Sequence, residues 1–412
     1  MYYRLTVGGR RWCAGDGLFP DADQSRRPRP IDLPLGTVYV RYMVIDAEYA
    51  DALPDGAVRG RGAGLNPGNR FDGLRLHVLG QQLDEAAAAH PEGTQVATRI
   101  YADRTGSVIN RVDSPDLGFK WTLNPYRGCE HGCIYCYARP THELLGFSCG
   151  LDFETKITAK HDAPGILQRE LAAPTWAGEP IVMSGVTDCY QPIEAKLQIT
   201  RRCLAVMAQC RQPVGIVTKS RLVVRDIDLL KRLAEADAVY VGISLTTLDA
   251  HLSAVMEPHA SCPADRLRAM RELSQAGIAV AAILAPIIPG LNDREIPRLL
   301  DSAAQAGATC ATWVMLRLPY QVKALFLEWL QRHFPERRAR IVSQVRSIHG
   351  GDLYRSTFGT RMRGTGPLAE QIAATFRVFA NRCGLHRQLP QLSSASFRRP
   401  NMTGQLELYT AC

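Results

Sequence analysis

Three cysteines fall within eight residues in NPYRGCEHGCIYCYARPTHELLG, residues 124–146. Cys129, Cys133 and Cys136 follow the spacing C-x3-C-x2-C, and Tyr126, Tyr135 and Tyr137 surround them. Clustered thiolates are soft metal ligands. Structural zinc sites pair two C-x2-C elements or add two histidines at set spacing. Cys149 and Cys189 stand alone, so a zinc reading needs His131 or His142 as the fourth ligand. A cube of iron and sulfide is the other reading. Its four irons normally take four thiolates. Three would leave one iron open for a substrate or cofactor, as catalytic metals require.

The elements that must position this loop have a clear rhythm from about Lys120 onward. Apolar runs of strand length are WTLN (121–124), PIVMSG (180–185), VGIVTKS (214–220), AVYVGISL (238–245), VAAILAPI (280–287) and ATWVMLR (311–317). Between them lie amphipathic stretches: GILQRELA, TRRCLAVMAQC, DIDLLKRLAEA, ADRLRAMRELSQAG and REIPRLLDSAAQAG. The last two close on Gly277 and Gly307, where a left-handed C-cap is expected. Runs rich in Val, Ile and Ala, without strict alternation, fit parallel strands buried on both faces. Repeated strand–helix units with right-handed crossovers curl into a full or partial barrel; a doubly wound open sheet is the alternative. In a barrel the chemistry gathers at the C-terminal strand ends. Those ends read as the cysteine loop, then SGVTDCYQP, TKS, SLTTLD and PIIPGLND.

The chain has 412 residues, 46% of them hydrophobic, and a formal charge of +9. That length and composition suit one large globular unit with appendages. The charge is uneven. Arg332 to Asn401 holds 13 arginines, no lysine and three acids (Glu336, Asp352, Glu370), a net +10, so the remainder is near neutral. Such a segment reads either as a solvated face or as a phosphate-contacting surface, and few aromatics interleave with its arginines. The 12 cysteines are scattered and Met1–Arg11 has no apolar core, so a reducing cytoplasm is expected. The longest apolar run, Ile278–Leu291, is interrupted by Pro286, Pro289 and Gly290. It falls short of the roughly 20 residues that span a bilayer. The expected organisation is a poorly structured extension (1–58), a lead-in segment (59–117), the barrel (118–335) and a basic C-terminal segment with a flexible tail (336–412). Met43 is an alternative start. RGRGAGLNPGNRF (59–71) reads as a flexible linker, with a phosphate or backbone contact as the alternative, LDEAAAAH as a short helix, and PLAEQIAATFRVFANRCG (367–384) as an amphipathic helix with a glycine stop.

C-x3-C-x-aromatic-C in the loop after the first strand of a (β/α)6 partial barrel resembles the radical S-adenosylmethionine (SAM) superfamily. The resemblance implies that Cys129, Cys133 and Cys136 hold a 4Fe-4S cluster whose open iron is chelated by SAM. It further implies cleavage of SAM to a 5′-deoxyadenosyl radical that abstracts hydrogen from a substrate, with electrons from a donor such as flavodoxin or ferredoxin. Tyr135 would sit near the adenine. Ser184, Gly185, Thr187 and Asp188 are similar to the segment that meets the SAM amino group, although the glutamate often found there is missing. Lys219 would pair with the SAM carboxylate, Ser244 and Thr246 would bond the ribose, and IIPGLND (287–293) would lie along the adenine. The ordinary readings of these residues are a solvated lysine, a strand-end cap and a turn.

NPYRGC-x3-C-x2-CYARP, TDCYQPIE and TTLD resemble the group related to spore photoproduct lyase, also described as DNA repair photolyase-like. This resemblance covers about residues 59–345. In the lyase a cysteine just before a Ser-Asp pair returns the hydrogen atom. Aligned on Thr187-Asp188, that position is Gly185. Cys189, beside it, and Tyr190 become the candidates for catalysis, with a buried structural cysteine as the plainer reading. The expected substrate is a DNA base or nucleotide. The alternatives are a radical SAM enzyme acting on a peptide or small metabolite, and a non-catalytic, zinc-stabilised nucleic-acid-binding module. Gln405-Leu406-Glu407-Leu408-Tyr409 resembles the short motif that docks bacterial replication and repair proteins on the DNA sliding clamp. DNA and the clamp are therefore the expected macromolecular partners, and no membrane is.

Overall fold

The computed structural model describes residues 58–71, 96–386 and 388–400, together with short strands at 5–7, 10–11 and 74–76. Leu5–Val7 pairs antiparallel with Arg10–Arg11 and with Leu74–Leu76. The rest of the N-terminal extension, the alternative start at Met43, the LDEAAAAH helix and the pentapeptide at 405–409 lie outside the described residues.

All six expected strands form. They are β1 (Trp121–Leu123), β2 (Ile181–Met183), β3 (Val214–Thr218), β4 (Val239–Ser244), β5 (Ala279–Ile287) and β6 (Cys310–Met315). They are parallel and lie in sequence order. A doubly wound sheet would reverse that order at a switch point. The sequential order is that of a partial (β/α)6 barrel, and the open-sheet alternative is set aside. Register runs from Trp121 opposite Ile181 to Ala281 opposite Cys310. It slips between Leu284 and Ile287, around Pro286, which has no N–H for the ladder. A seventh strand, Ile109–Arg111, adds antiparallel to β1.

The crossover helices are α1 (Ala163–Ala172), α2 (Ile199–Cys210), α3 (Ile227–Ala234), α4 (Pro263–Gln275) and α5 (Ile296–Gln305). Each buries one stripe at helical spacing: Ile199, Cys203, Leu204 and Met207 on α2; Ile296, Leu299, Leu300 and Ala303 on α5. These stripes and the strands' outer faces make the main core. Gly277 and Gly307 follow α4 and α5 with φ of +80° and +90°, the left-handed stop that the sequence indicates.

A second core lies under the cysteine loop. Ile134, Tyr135 and Cys149 pack there against α6 (Val322–His333) and α7 (Pro335–Ser347). The free edge of β6 is covered by the C-terminal segment: Ala311 N–H donates to the His386 carbonyl and Met315 N–H to that of Met362. Beyond α7 the expected helix forms as α8 (Pro367–Arg382), packed on α5. Among the described residues no helix is long and apolar enough to cross a membrane.

Candidate active site

The chain turns sharply after β1, through Gly128 and Gly132, both at positive φ. Cys129 and Cys133 are buried, Cys136 is half-buried, and none of the three is in a disulfide. Cys129 N–H donates to the Phe153 carbonyl at 2.9 Å, which anchors the loop. The Cys129 thiol is pushed well above its ordinary pKa by burial, then by the charges of Asp188, Cys133 and Cys136. Burial likewise pushes Cys133 to about 12, only partly offset by Lys219. Burial disfavours the thiolates of Cys129 and Cys133, and a bound iron core would favour them. The His131 backbone N–H on the Cys129 sulfur favours the thiolate. The donor set therefore fits a thiolate-bound cluster. Among the described residues no three His, Cys, Asp or Glu side chains converge tightly enough for a single metal ion.

Residues after β2 wrap the other side of the loop. Ser184 takes a left-handed φ of +77°, and its hydroxyl accepts the Cys189 N–H at 2.9 Å. The Gly185 carbonyl accepts the Tyr137 hydroxyl at 2.7 Å. Thr187 donates to the Gly128 carbonyl at 2.5 Å, tying this turn to the cysteine loop. Asp188 accepts from Thr218 Oγ1 (2.8 Å), Lys219 N–H (2.9 Å) and Tyr190 N–H (2.9 Å), with His131 Nδ1 at 3.3 Å. Burial pushes Asp188 up, but these partners, His131 foremost, hold it down at about 2. Asp188 is thus an anchor joining three strand ends.

Cys189 and Tyr190 sit elsewhere. Both are fully buried in the core between sheet and helices. The Tyr190 hydroxyl donates to Asp226 at 3.0 Å, and burial drives the Cys189 thiol far up. The plainer reading of a structural cysteine matches this placement, and neither side chain is presented to solvent beside the cysteine loop.

Lys219, after β3, lies 5.8 Å from the centre of the Tyr135 ring. Burial opposes its charge, but Cys133 and Glu257 outweigh burial and raise its pKa. After β4, the Thr246 hydroxyl donates to Glu257 at 2.7 Å, and the Tyr135 hydroxyl and Arg266 guanidinium meet the same carboxylate. Burial pushes Glu257 up; Arg266 and Lys219 outweigh it and lower its pKa. Arg266 also donates to the carbonyls of Ser244 (3.1 Å) and Ser261 (2.7 Å). Ser244 Oγ reaches the Ala285 carbonyl at 3.3 Å. Asn292, in the loop after β5, donates to the Thr246 carbonyl at 2.9 Å. The fourth and fifth strand ends are thereby joined. Glu257 and Arg266 escape sequence reading because each is a single charged residue on a helix or turn, with no motif around it.

Four exposed aromatic rings each lie beside a guanidinium. Arg317, after β6, lies 4.6 Å from the Tyr137 ring; Arg70 lies 3.8 Å from Tyr320 and 5.4 Å from Phe71; Arg361 lies 4.3 Å from Phe358. The four rings are 45–65% exposed. Asp116 binds Arg361 at 2.5 Å and lies within the field of Arg317. The arginine-rich segment looks poor in aromatics when read along the chain. Of these pairs only Arg361–Phe358 belongs to that segment; Arg70 and Arg317 lie outside it.

A parallel barrel with buried thiols at its first strand end defines the class: a strand-end site built to hold a thiolate-bound group. The family assignment follows from comparison. The Radical SAM superfamily profile matches residues 123–303. An uncharacterized protein of Mycobacterium tuberculosis, Rv2578c, is 35% identical over 246 residues, 59% of this chain and 71% of the relative. An uncharacterized protein of Methanocaldococcus jannaschii, MJ0683, is 32% identical over 187 residues, 45% and 67%. The chain belongs to the radical SAM superfamily. It is accordingly an enzyme of the radical SAM class, whose members work with a 4Fe-4S cluster and SAM, and the zinc module is set aside. Among solved structures, spore photoproduct lyase complexed with dinucleoside spore photoproduct superposes with a TM-score of 0.50 at 17% identity, over 70% of this chain and 80% of that one. A lyase variant with bound AdoMet and the same dinucleoside gives 0.50 at 15%, over 83% and 100%. At these identities the likeness is one of fold.

Proposed function

We propose that Cys129, Cys133 and Cys136 ligate the 4Fe-4S cluster and that the remaining strand ends bind SAM. The observation that carries this reading is the set of three free thiols, two buried and one half-buried, at the first strand end of a radical SAM barrel. When reduced, the bound group supplies a 5′-deoxyadenosyl radical from SAM. The chain's own residues hold and shield. Lys219 offers a cation to the SAM carboxylate. Ser184, Gly185, Thr187 and Asp188 form the turn facing its amino group. Asp188, ionised by its partners, keeps β2, β3 and the cysteine loop in register. Tyr135, held by Glu257, gives the adenine a ring edge, and Ser244 and Thr246 line the ribose side.

The substrate read here is a nucleic-acid base, and the exposed aromatic–arginine pairs support it. Rings beside guanidinium groups suit unstacked bases and phosphates together. The structural neighbour's dinucleoside photoproduct is of the same chemical class. The proposal does not extend to the lyase's own hydrogen return, because Gly185 stands where that enzyme has its donor cysteine. The Tyr137 hydroxyl donates to the Gly185 carbonyl, and the Thr122 and Asn124 side chains lie against the same residue. The test is 5′-deoxyadenosine release by reconstituted, reduced protein with and without ultraviolet-irradiated DNA. A rise with DNA supports the substrate class. A rise with a peptide pool, and none with nucleic acid, moves the assignment to the peptide or small-metabolite alternative.

A further inference from the structure

The Gly/Arg segment that reads as a linker is instead fastened across the back of the cysteine loop. Gly62 and Ala63 N–H donate to the two oxygens of Glu154 at 3.0 and 2.8 Å. Arg139, three residues past Cys136, reaches the same carboxylate at 2.5 Å. Both charged side chains are fully buried. Arg139 spends its other donors on the carbonyls of Cys133 (3.0 Å), Gly132 (3.2 Å), Gly150 (2.9 Å) and Cys149 (3.3 Å). A guanidinium has five donors in a fixed fork, so it dictates where those carbonyls point.

The rest of the segment is tied as well. Arg61 donates to the Glu154 backbone carbonyl (3.2 Å) and that of Val96 (2.7 Å). Leu151 N–H donates to the Leu65 carbonyl at 3.2 Å, and Arg332 on α6 donates to that of Gly62 at 3.1 Å. The approach is close enough to require glycine. A Cβ on Gly62 would stand 1.9 Å from the Gly132 carbonyl oxygen, and one on Gly150 would stand 2.1 Å from that of Leu65. The strap crosses C-x3-C between its two cysteines.

We propose that Arg139 and Glu154 are positioning residues for the cluster loop, and that residues 61–65 are a strap that closes its back and, through this pair, aims the Cys133 thiol. The inference rests on the cysteines being the cluster ligands. Outer-shell partners of metal ligands are worth about 10–100-fold in metal affinity or activity.

The test compares wild type with Arg61→Ala, Gly62→Ala and Glu154→Gln. In the reconstituted proteins, the rate of iron loss to a chelator and the change in the reduced cluster's electron paramagnetic resonance (EPR) spectrum on adding SAM are read. Iron loss about tenfold or more faster in Gly62→Ala and Glu154→Gln, with a weakened SAM-dependent spectral change, is the expected result. Arg61→Ala should move the same way by a smaller factor. A normal rate and a normal spectrum in the folded variants overturn the proposal. Should Glu154→Gln fail to fold, the other two decide. The metal-free chain gives an independent readout, the alkylation rate of Cys129 and Cys133. Faster alkylation in Arg61→Ala and Gly62→Ala supports the strap, and an unchanged rate overturns it. A wild-type chain that takes up no cluster refutes the ligand assignment, and alkylation still judges the strap.

Discussion

Tyr135 and Glu257 stand 122 residues apart in the chain, and the tyrosine hydroxyl donates to the carboxylate in a fully buried site. Thr246 and Arg266 converge on the same group, so one acid joins the cysteine loop to the end of β4. Removing a buried carboxylate strands its guanidinium, which costs about 3–5 kcal/mol. Glu257→Gln should lose roughly that much in urea unfolding. Tyr135→Phe, which removes one neutral donor, should lose about 1 kcal/mol. Equal and small losses would mean the network carries little of the fold.

Cys189 and Cys133 should separate cleanly on substitution. Cys189 lies in the core, so Cys189→Ala should cost about 0.5–3 kcal/mol of stability while leaving cluster content and SAM cleavage intact. Iron analysis and 5′-deoxyadenosine assay of the folded variant check this. Loss of cleavage with full iron would return Cys189 to the catalytic list.

His142 gives the chain an acid-side weakness. The ring is buried between Phe147 and Phe153, centroids at 5.2 and 5.6 Å, and neither nitrogen has a hydrogen-bond partner. Burial lowers its pKa from 6.5 to about 4. Below pH 6.5 the unfolded chain takes up a proton that the folded chain refuses until near pH 4. Stability therefore falls as pH drops through that window, by up to about 3 kcal/mol. His142→Phe should flatten this part of the stability–pH curve measured by denaturant unfolding. An unchanged slope would assign the acid sensitivity to other groups.

The exposed aromatic–arginine pairs make the proposed nucleic-acid substrate testable by binding. Stacking on an aromatic ring is worth about 1–3 kcal/mol per base, so Tyr137→Ala and Tyr320→Ala should each weaken single-stranded oligonucleotide binding within that range. Arg317→Ala should also reduce the salt dependence. Fluorescence anisotropy at two salt concentrations reads both effects. Affinity that ignores all three substitutions would remove the support these pairs give to the proposed nucleic-acid substrate.

The parts legible in the sequence are those written locally. Six apolar runs of strand length, two glycine stops and one cysteine spacing each sit in a short window, and each appears in the fold where the pattern puts it. Long-range partnerships are not written that way. Nothing about Glu257 or Glu154 in the linear chain says which hydroxyl or N–H it will meet. The strap at 61–65 reads as a linker because glycine there answers to close approach, not to flexibility. Beside Asp188 in the sequence, Cys189 reads either as a candidate donor or as a buried structural cysteine, and the fold buries it in the core.

The central claim, three cysteines serving a radical SAM cluster, is tested most directly by anaerobic reconstitution followed by reduction in the presence of SAM. The account predicts four irons per chain, a brown absorbance and 5′-deoxyadenosine from the wild type, with the absorbance and the product lost in Cys133→Ala. Stoichiometric zinc in place of iron, with no SAM cleavage, would contradict it.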